Sequence, residues 1–138
     1  LDFGHWAAHK LEQVSEYRLR HGEAVAIGIA LDCIYARDCD HLDAAACDRI
    51  LRLLERLGFS LWSQDLLHET EDGQLVVLEG LEEFREHLGG QLTITLLRAI
   101  GEGFEVHEMN TSKVFAAIHE LHARNESEGD QKIIPANG

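Results

Sequence analysis

The stretch Leu1-Asp2-Phe3-Gly4-His5-Trp6-Ala7-Ala8-His9-Lys10-Leu11-Glu12, followed after a short connection by His21-Gly22-Glu23-Ala24-Val25-Ala26-Ile27-Gly28-Ile29, decides the reading of this chain. His5 and His9 are four residues apart, and on a helix positions i and i+4 share a face. His21 stands just before a long apolar run, where a second helix would begin. Two consecutive helices would therefore turn three imidazoles toward one cavity. Neutral imidazole is the commonest metal ligand and carries protons near neutral pH, so a metal or acid–base site is expected there. The plainer alternative is a set of helix-end histidines bonded to backbone.

Outward from this stretch, a first helix is expected from Gly4 to about Tyr17, packing through Trp6, Leu11 and Val14, before a short basic turn from Arg18 to Arg20. From Gly22 the sequence is apolar all round, the mark of a helix buried on every side. It should run through Ile34 to about Arg37 and break at Asp38-Cys39-Asp40. A third helix is expected from Leu42 or Asp43 to Leu57. Asp43 would cap it, Ile50, Leu51, Leu53, Leu54 and Leu57 carry its helical spacing, and Gly58 stands at its end.

Further on, Leu61 to His68 reads as a short helix, Glu71-Asp72-Gly73 as a turn and Leu75 to Leu78 as extended. Leu81 to Leu88 reads as a helix stopped by Gly89-Gly90. Leu92 to Leu97 alternates as a strand does, with Phe104 to Val106 as its partner across Gly101-Glu102-Gly103. Asn110 or Thr111 should cap a last helix from Ser112 to about Arg124, with Val114, Ile118 and Leu121 on one face. The polar residues 125–138 are expected to form a loose tail. The fold class is mainly α with one small β-hairpin.

The 138 residues suit one domain with a modest core. The net charge of −13, from 25 acidic and 12 basic side chains, disfavours nucleic acid or anionic membrane as partners, since both need a positive field. No apolar run reaches the roughly 18 residues that span a bilayer. Cys33, Cys39 and Cys47 are odd in number and match no zinc or redox spacing, which reads as reduced thiols in a cytoplasmic protein.

The composite motif resembles the C-terminal domain of the dehydroquinate synthase-like proteins, sugar phosphate cyclases that share a fold with iron-containing alcohol dehydrogenases. Their pattern runs Leu-Asn-Phe-Gly-His-x-x-x-His-x-x-Glu, then Leu-His-Gly-Glu-x-Val-Ala-Ile-Gly. Here the matching residues are Leu1, Phe3, Gly4, His5, His9 and Glu12, then His21, Gly22, Glu23, Val25, Ala26, Ile27 and Gly28. A looser similarity reaches to about Arg124, so residues 1–124 are taken as the domain. Because the chain begins inside the motif, the resemblance implies an N-terminal NAD-binding domain outside it.

The resemblance also assigns roles. His5 and His21 would hold a divalent metal, zinc or cobalt, with a glutamate from the N-terminal domain as third ligand. His9 would line the substrate pocket and contact substrate or transfer a proton, the alternatives being a third metal ligand or a core histidine. Glu12 and Glu23 would orient a ligand or cap a helix. Two departures point to an altered sugar phosphate. Asp2 replaces an asparagine that helps bind substrate, and an aspartate cannot donate as an amide does. Arg85 keeps the only positive charge where the family carries a lysine-rich loop, and Lys and Arg differ in hydrogen-bonding shape; the plainer reading of Arg85 is an exposed charged helix end. Lys10 and the histidines at 41, 68, 87, 107, 119 and 122 read as solvent-facing, with His119 and His122 spaced for adventitious metal.

The activity implied is NAD- and metal-dependent phosphate elimination and carbocycle closure by a homodimeric lyase, with a fragment of this length inactive alone. Two other readings stay open: an iron- or zinc-dependent alcohol or glycerol dehydrogenase, and a non-catalytic helical interaction domain.

Overall fold

The structure, a computed structural model, describes residues 3–136, with side chains to Ser127. Its elements in order are α1 (His5–Val14), α2 (His21–Asp38), α3 (Ala44–Arg56), α4 (Glu79–His87), β1 (Ile94–Ala99), β2 (Glu102–Val106) and α5 (Thr111–Ala136). Helix α2 is the axis: α1, α3, α5 and β1 all pack on it, and α4 packs on α1. Its all-round apolar sequence is the reason. Ala24, Ala26, Ile27, Gly28, Ala30, Leu31, Cys33, Ile34, Tyr35 and Ala36 are all buried, and their many small side chains let neighbouring backbones come close.

The closest approach is glycine on glycine. A Cβ on Gly28 would lie 2.0 Å from the Gly4 carbonyl oxygen, and one on Gly4 would lie 2.7 Å from the Ile29 nitrogen. Gly4 also has a φ of 78°, a left-handed conformation that glycine adopts without steric cost. The chain thus enters α1 with its backbone pressed on α2.

Helix ends follow one rule. After α3 the Gly58 amide donates to Glu55 and the Phe59 amide to Leu54, the paired bonds of a Schellman cap with Gly58 at φ 98°. Gly89 closes α4 in the same way. Asp40 and Glu16 do so for α2 and α1, although each is a non-glycine residue with positive φ. At the other ends, Asn110 Oδ1 accepts from the amides of Ser112 and Lys113, as its position predicts. Asp43 occupies the N-cap of α3 but makes no side-chain cap bond.

The hairpin pairs Ile94 with Val106 and Leu96 with Phe104, turning Ile94 and Leu96 into the core. Helix α5 buries Val114, Ala117, Ile118 and Leu121. It is fastened by Arg37–Glu120, by Arg124–Glu55 and by the Lys113 ammonium on the Asp38 carbonyl.

Several expectations are corrected. Leu75 to Leu78 is not extended: Leu75 makes one bridge to Glu69, and Val76–Leu78 is a 3-10 turn running straight into α4, with Val77 buried. The short helix after Leu61 shrinks to a 3-10 turn at Gln64–Leu67, started by the Ser63 hydroxyl accepting from the Asp65 amide. Helix α5 does not stop near Arg124; its backbone stays helical to Ala136, through most of the expected tail. Leu53 and Leu57 lie on the exposed side of α3.

The core holds one carboxyl group of special interest. Asp32 is 1% exposed, Oδ1 accepts from the Trp6 indole N–H at 2.9 Å, and Oδ2 has no partner among the described residues. Burial raises its pKa to about 7, against the lowering effect of the Trp6 and Gly4 hydrogen bonds. Burial likewise pushes the thiols of Cys33 and Cys47 up.

Two outcomes follow. Gly28→Ala should cost about 3 kcal/mol in urea unfolding, because a methyl group must displace the Gly4 peptide; unchanged stability would mean that the two backbones are not in contact. The folded protein holds the Asp32 proton more tightly than the unfolded chain, so its contribution to stability falls as pH rises from about 4 to about 7. From pH 5 to pH 8 the wild type should therefore lose roughly 2–3 kcal/mol more than Asp32→Asn. Parallel pH profiles for the two proteins would refute the assignment.

Candidate functional site

The three motif histidines meet at the junction of α1 and α2. Ring centroids lie 5.7 Å apart for His5 and His9, 5.6 Å for His5 and His21, and 6.4 Å for His9 and His21. His5 and His9 come together because they are one turn apart on α1. His21 joins them because a tight loop, with Glu16 and Tyr17 both at positive φ, returns the chain to the same end. The buried Ser15 hydroxyl braces that loop by donating to the Glu12 carbonyl and accepting from the Leu19 amide. Arg18 of the basic turn pairs with the buried Asp65.

Hydrogen bonds fix two of the rings. His5 Nδ1 lies 3.1 Å from the Phe3 carbonyl oxygen, which can only accept. His21 Nδ1 lies 2.7 Å from Glu12 Oε1. Both Nδ1 atoms therefore donate, which assigns the tautomer and leaves each neutral ring with its lone pair on Nε2. Metal-binding histidines are held by this kind of partner, a carbonyl or carboxylate on the other ring nitrogen. Two imidazoles on one zinc ion, at about 2 Å from metal to nitrogen, have centroids roughly 5 Å apart. The His5–His21 separation of 5.6 Å fits. Among the described residues no set of three or more His, Cys, Asp or Glu side chains converges as a complete metal site. The cluster thus presents two oriented ring nitrogens, those of His5 and His21.

The cluster stands between two depressions. His9 lines a cleft of about 330 Å³ between α1 and α4, with Trp6, Lys10, Gln13, Gly80, Glu83, Phe84 and His87. His5 and His21 line a separate, largely apolar one of about 290 Å³, with Gly22, Val25, Ala26, Ile29, Leu54 and Phe59. His9 and the His5–His21 pair thus open onto different depressions.

The other sequence candidates are placed as follows. Asp2 lies outside the described residues. The Arg85 guanidinium bonds the Glu82 carboxylate and, at 2.7 Å, the Gly90 carbonyl, so it closes the end of α4 and does not line the His9 cleft. His87, two residues on, lines the cleft instead. Its signal in the sequence was the spacing of Gly80, Glu83, Phe84 and His87, which puts all four on one helical face. Lys10 does not point to solvent: its side chain is 12% exposed and its ammonium is 2.6 Å from Glu83. Glu23 accepts from the Arg20 amide and caps α2, while Glu12 orients His21. His122 is half-buried, stacked on Trp62 and paired with Glu126, so it is not a surface residue. His41, His68, His107 and His119 are exposed as expected. The three cysteines are unpaired.

Residues 1–76 match the family described as 3-dehydroquinate synthase C-terminal. The 3-dehydroquinate synthase of Chlorobium chlorochromatii is 35% identical over 120 residues, 86% of this chain and 33% of the relative. That of Clostridium perfringens is 35% identical over 105 residues, 75% of this chain and 28% of the relative. Among solved structures, the chain is similar to ValA, the 2-epi-5-epi-valiolone synthase of Streptomyces hygroscopicus subsp. jinggangensis with NAD+ and Zn2+ bound. The TM-score is 0.79 at 28% identity, over 89% of this chain and 32% of that one. It shares its fold with 2-deoxy-scyllo-inosose synthase complexed with carbaglucose-6-phosphate, NAD+ and Co2+, with a TM-score of 0.62 at 18% identity over 86% of this chain and 34% of that one. The chain spans about a third of the length of these proteins. Among the described residues no helix is long and apolar enough to cross a membrane. With more than half of its residues matched, the chain belongs to the 3-dehydroquinate synthase C-terminal family.

Proposed function

We propose that this chain is the metal- and substrate-binding part of a sugar phosphate cyclase, a carbon–oxygen lyase whose NAD-binding domain lies outside it. The observation that carries the reading is the pair His5 and His21, each with Nδ1 tied to an acceptor and Nε2 left free. The relatives' activity, and the NAD+ and Zn2+ in the valiolone synthase structure, support the same reading.

In this reading His5 and His21 hold a divalent cation, zinc or cobalt, together with ligands from the missing domain. When bound, the cation polarises substrate oxygens as a Lewis acid and NAD serves as the transient hydride acceptor. The rest is the work of this chain. The Phe3 carbonyl and the Glu12 carboxylate hold the two ligand rings at fixed angles. His9 faces the same cluster and opens onto the α1–α4 cleft, where its ring nitrogens bind substrate phosphate or hold a proton. Trp6 and Phe84 wall the cleft against water. Lys10, neutralised by Glu83, contributes shape more than charge. Asp2 and Arg85 are proposed to adjust the choice of sugar phosphate, Arg85 after release from Glu82. The enzyme is read as cytoplasmic and homodimeric, without a nucleic-acid partner, in keeping with unpaired cysteines and the excess of acid.

The test is phosphate release by the complete protein with NAD+ and zinc or cobalt. Sedoheptulose 7-phosphate is compared with the seven-carbon precursor of dehydroquinate. His5→Ala and His21→Ala should each lower kcat/KM by at least about a hundredfold and deplete bound metal. His9→Ala should lower turnover with metal content unchanged. Full turnover by metal-depleted His5→Ala would remove the assignment, and alcohol oxidation without phosphate release would favour a dehydrogenase. Separately, Glu12→Gln should weaken zinc binding about tenfold, as loss of a charged partner to a ligating histidine does. Calorimetric titration showing unchanged affinity would take Glu12 out of the site.

A further inference from the structure

We infer that Asp32, a buried carboxyl group on α2, is a positioning residue for the histidine cluster. The inference rests on the reading of His5 and His21 as metal-holding residues.

Asp32 stands where an apolar side chain would be cheaper. Its neighbours Leu31, Cys33 and Ile34 are all buried, and a carboxyl group among them loses its hydration while one of its oxygens finds no partner. Places where a core breaks the rule of apolar filling are often places where function asks for direction as well as volume. Direction is what Asp32 supplies. It accepts at 2.9 Å from the indole of Trp6, the residue that follows His5 in the chain. His21, Val25, Gly28 and Asp32 recur at spacings of four, three and four, which sets them along one side of α2. Gly28 fixes how near α1 comes, through its contact with Gly4. A backbone contact alone lets a helix turn about its own axis. The Trp6–Asp32 bond removes that freedom, and with it the directions of His5 and His9 are set. Trp6 also lines the cleft beside His9, so one bond orients both the ligand and the substrate-facing sides of α1.

The experiment is zinc binding to the complete protein by calorimetry, with the visible spectrum of the Co2+ form as a report on ligand geometry. Asp32→Leu keeps the volume but loses the acceptor, Trp6→Phe keeps an aromatic ring but loses the donor, and Asp32→Asn keeps the acceptor. The two disrupting variants should each weaken binding about tenfold and alter the Co2+ spectrum. The double variant should lose no more than either single one, because both break the same bond. Asp32→Asn should restore wild-type affinity and spectrum. A merely structural role predicts lower Tm with unchanged zinc affinity, and that result overturns the inference. If Asp32→Leu does not fold, Trp6→Phe decides alone, and wild-type affinity and spectrum in that variant are equally fatal. Complete wild-type protein that binds no zinc removes the reading of the histidines, and the inference falls with it. Wild-type binding that His5→Ala abolishes but Trp6→Phe leaves intact refutes the inference and spares the reading.

Discussion

The contact between Gly4 and Gly28 is the constraint on which the rest of the molecule depends. The two backbones approach until not even a methyl group fits between them. Such contact is open only to glycine, and at Gly4 a positive φ adds a second reason for it. Side chains usually separate packed helices by 8–10 Å and blur their relative placement. Here direct backbone contact sets the separation at this point, so the first residue of α1, His5, is placed by the backbone of α2 with little intervening play.

Around this contact the polar groups divide into two kinds of work. Phe3, Glu12 and Ser15 bind ring nitrogens or backbone near the cluster and decide which atoms of the histidines remain free. The ion pairs Arg37–Glu120 and Arg18–Asp65 lie further out and tie later segments to the α1–α2 pair, while Arg124–Glu55 ties α5 to α3. The first kind bears on chemistry and the second on assembly. The partly exposed ion pairs contribute little each, since solvent screens them. What holds α5 and the hairpin in place is chiefly the burial of Ile118, Leu121, Ile94 and Leu96.

Much of this was legible in the sequence. The all-round apolar run after Gly22 announced the central helix, Gly58 and Gly89 announced helix ends, and the alternation after Leu92 announced the hairpin. The clustering of His5, His9 and His21 followed from spacing plus one short loop. What was not legible depended on which of several possible partners each group meets in the fold. Lys10 reads as a surface residue until α4 brings Glu83 to it, 73 residues away. Arg85 reads as a free cation until Glu82 and Gly90 occupy it. Leu75 to Leu78 has strand composition, yet with no neighbouring strand beyond one bridge it winds into the next helix. The length of α5 escaped because polarity alone says little about whether a helix already nucleated will continue.

The Gly4–Gly28 contact also has a mechanical side. It acts as a pivot, with His5 one residue from the fulcrum and His21 seven residues away along α2, a lever of about 10 Å at 1.5 Å per residue. A tilt of about 5° between the helices would move the two rings relative to each other by roughly 1 Å, as much as a ligand site tolerates. The Glu12–His21 bond closes the far end of that lever. One fulcrum and one latch turn a hinge into a rigid bracket, whose span is a matter of backbone and two side chains.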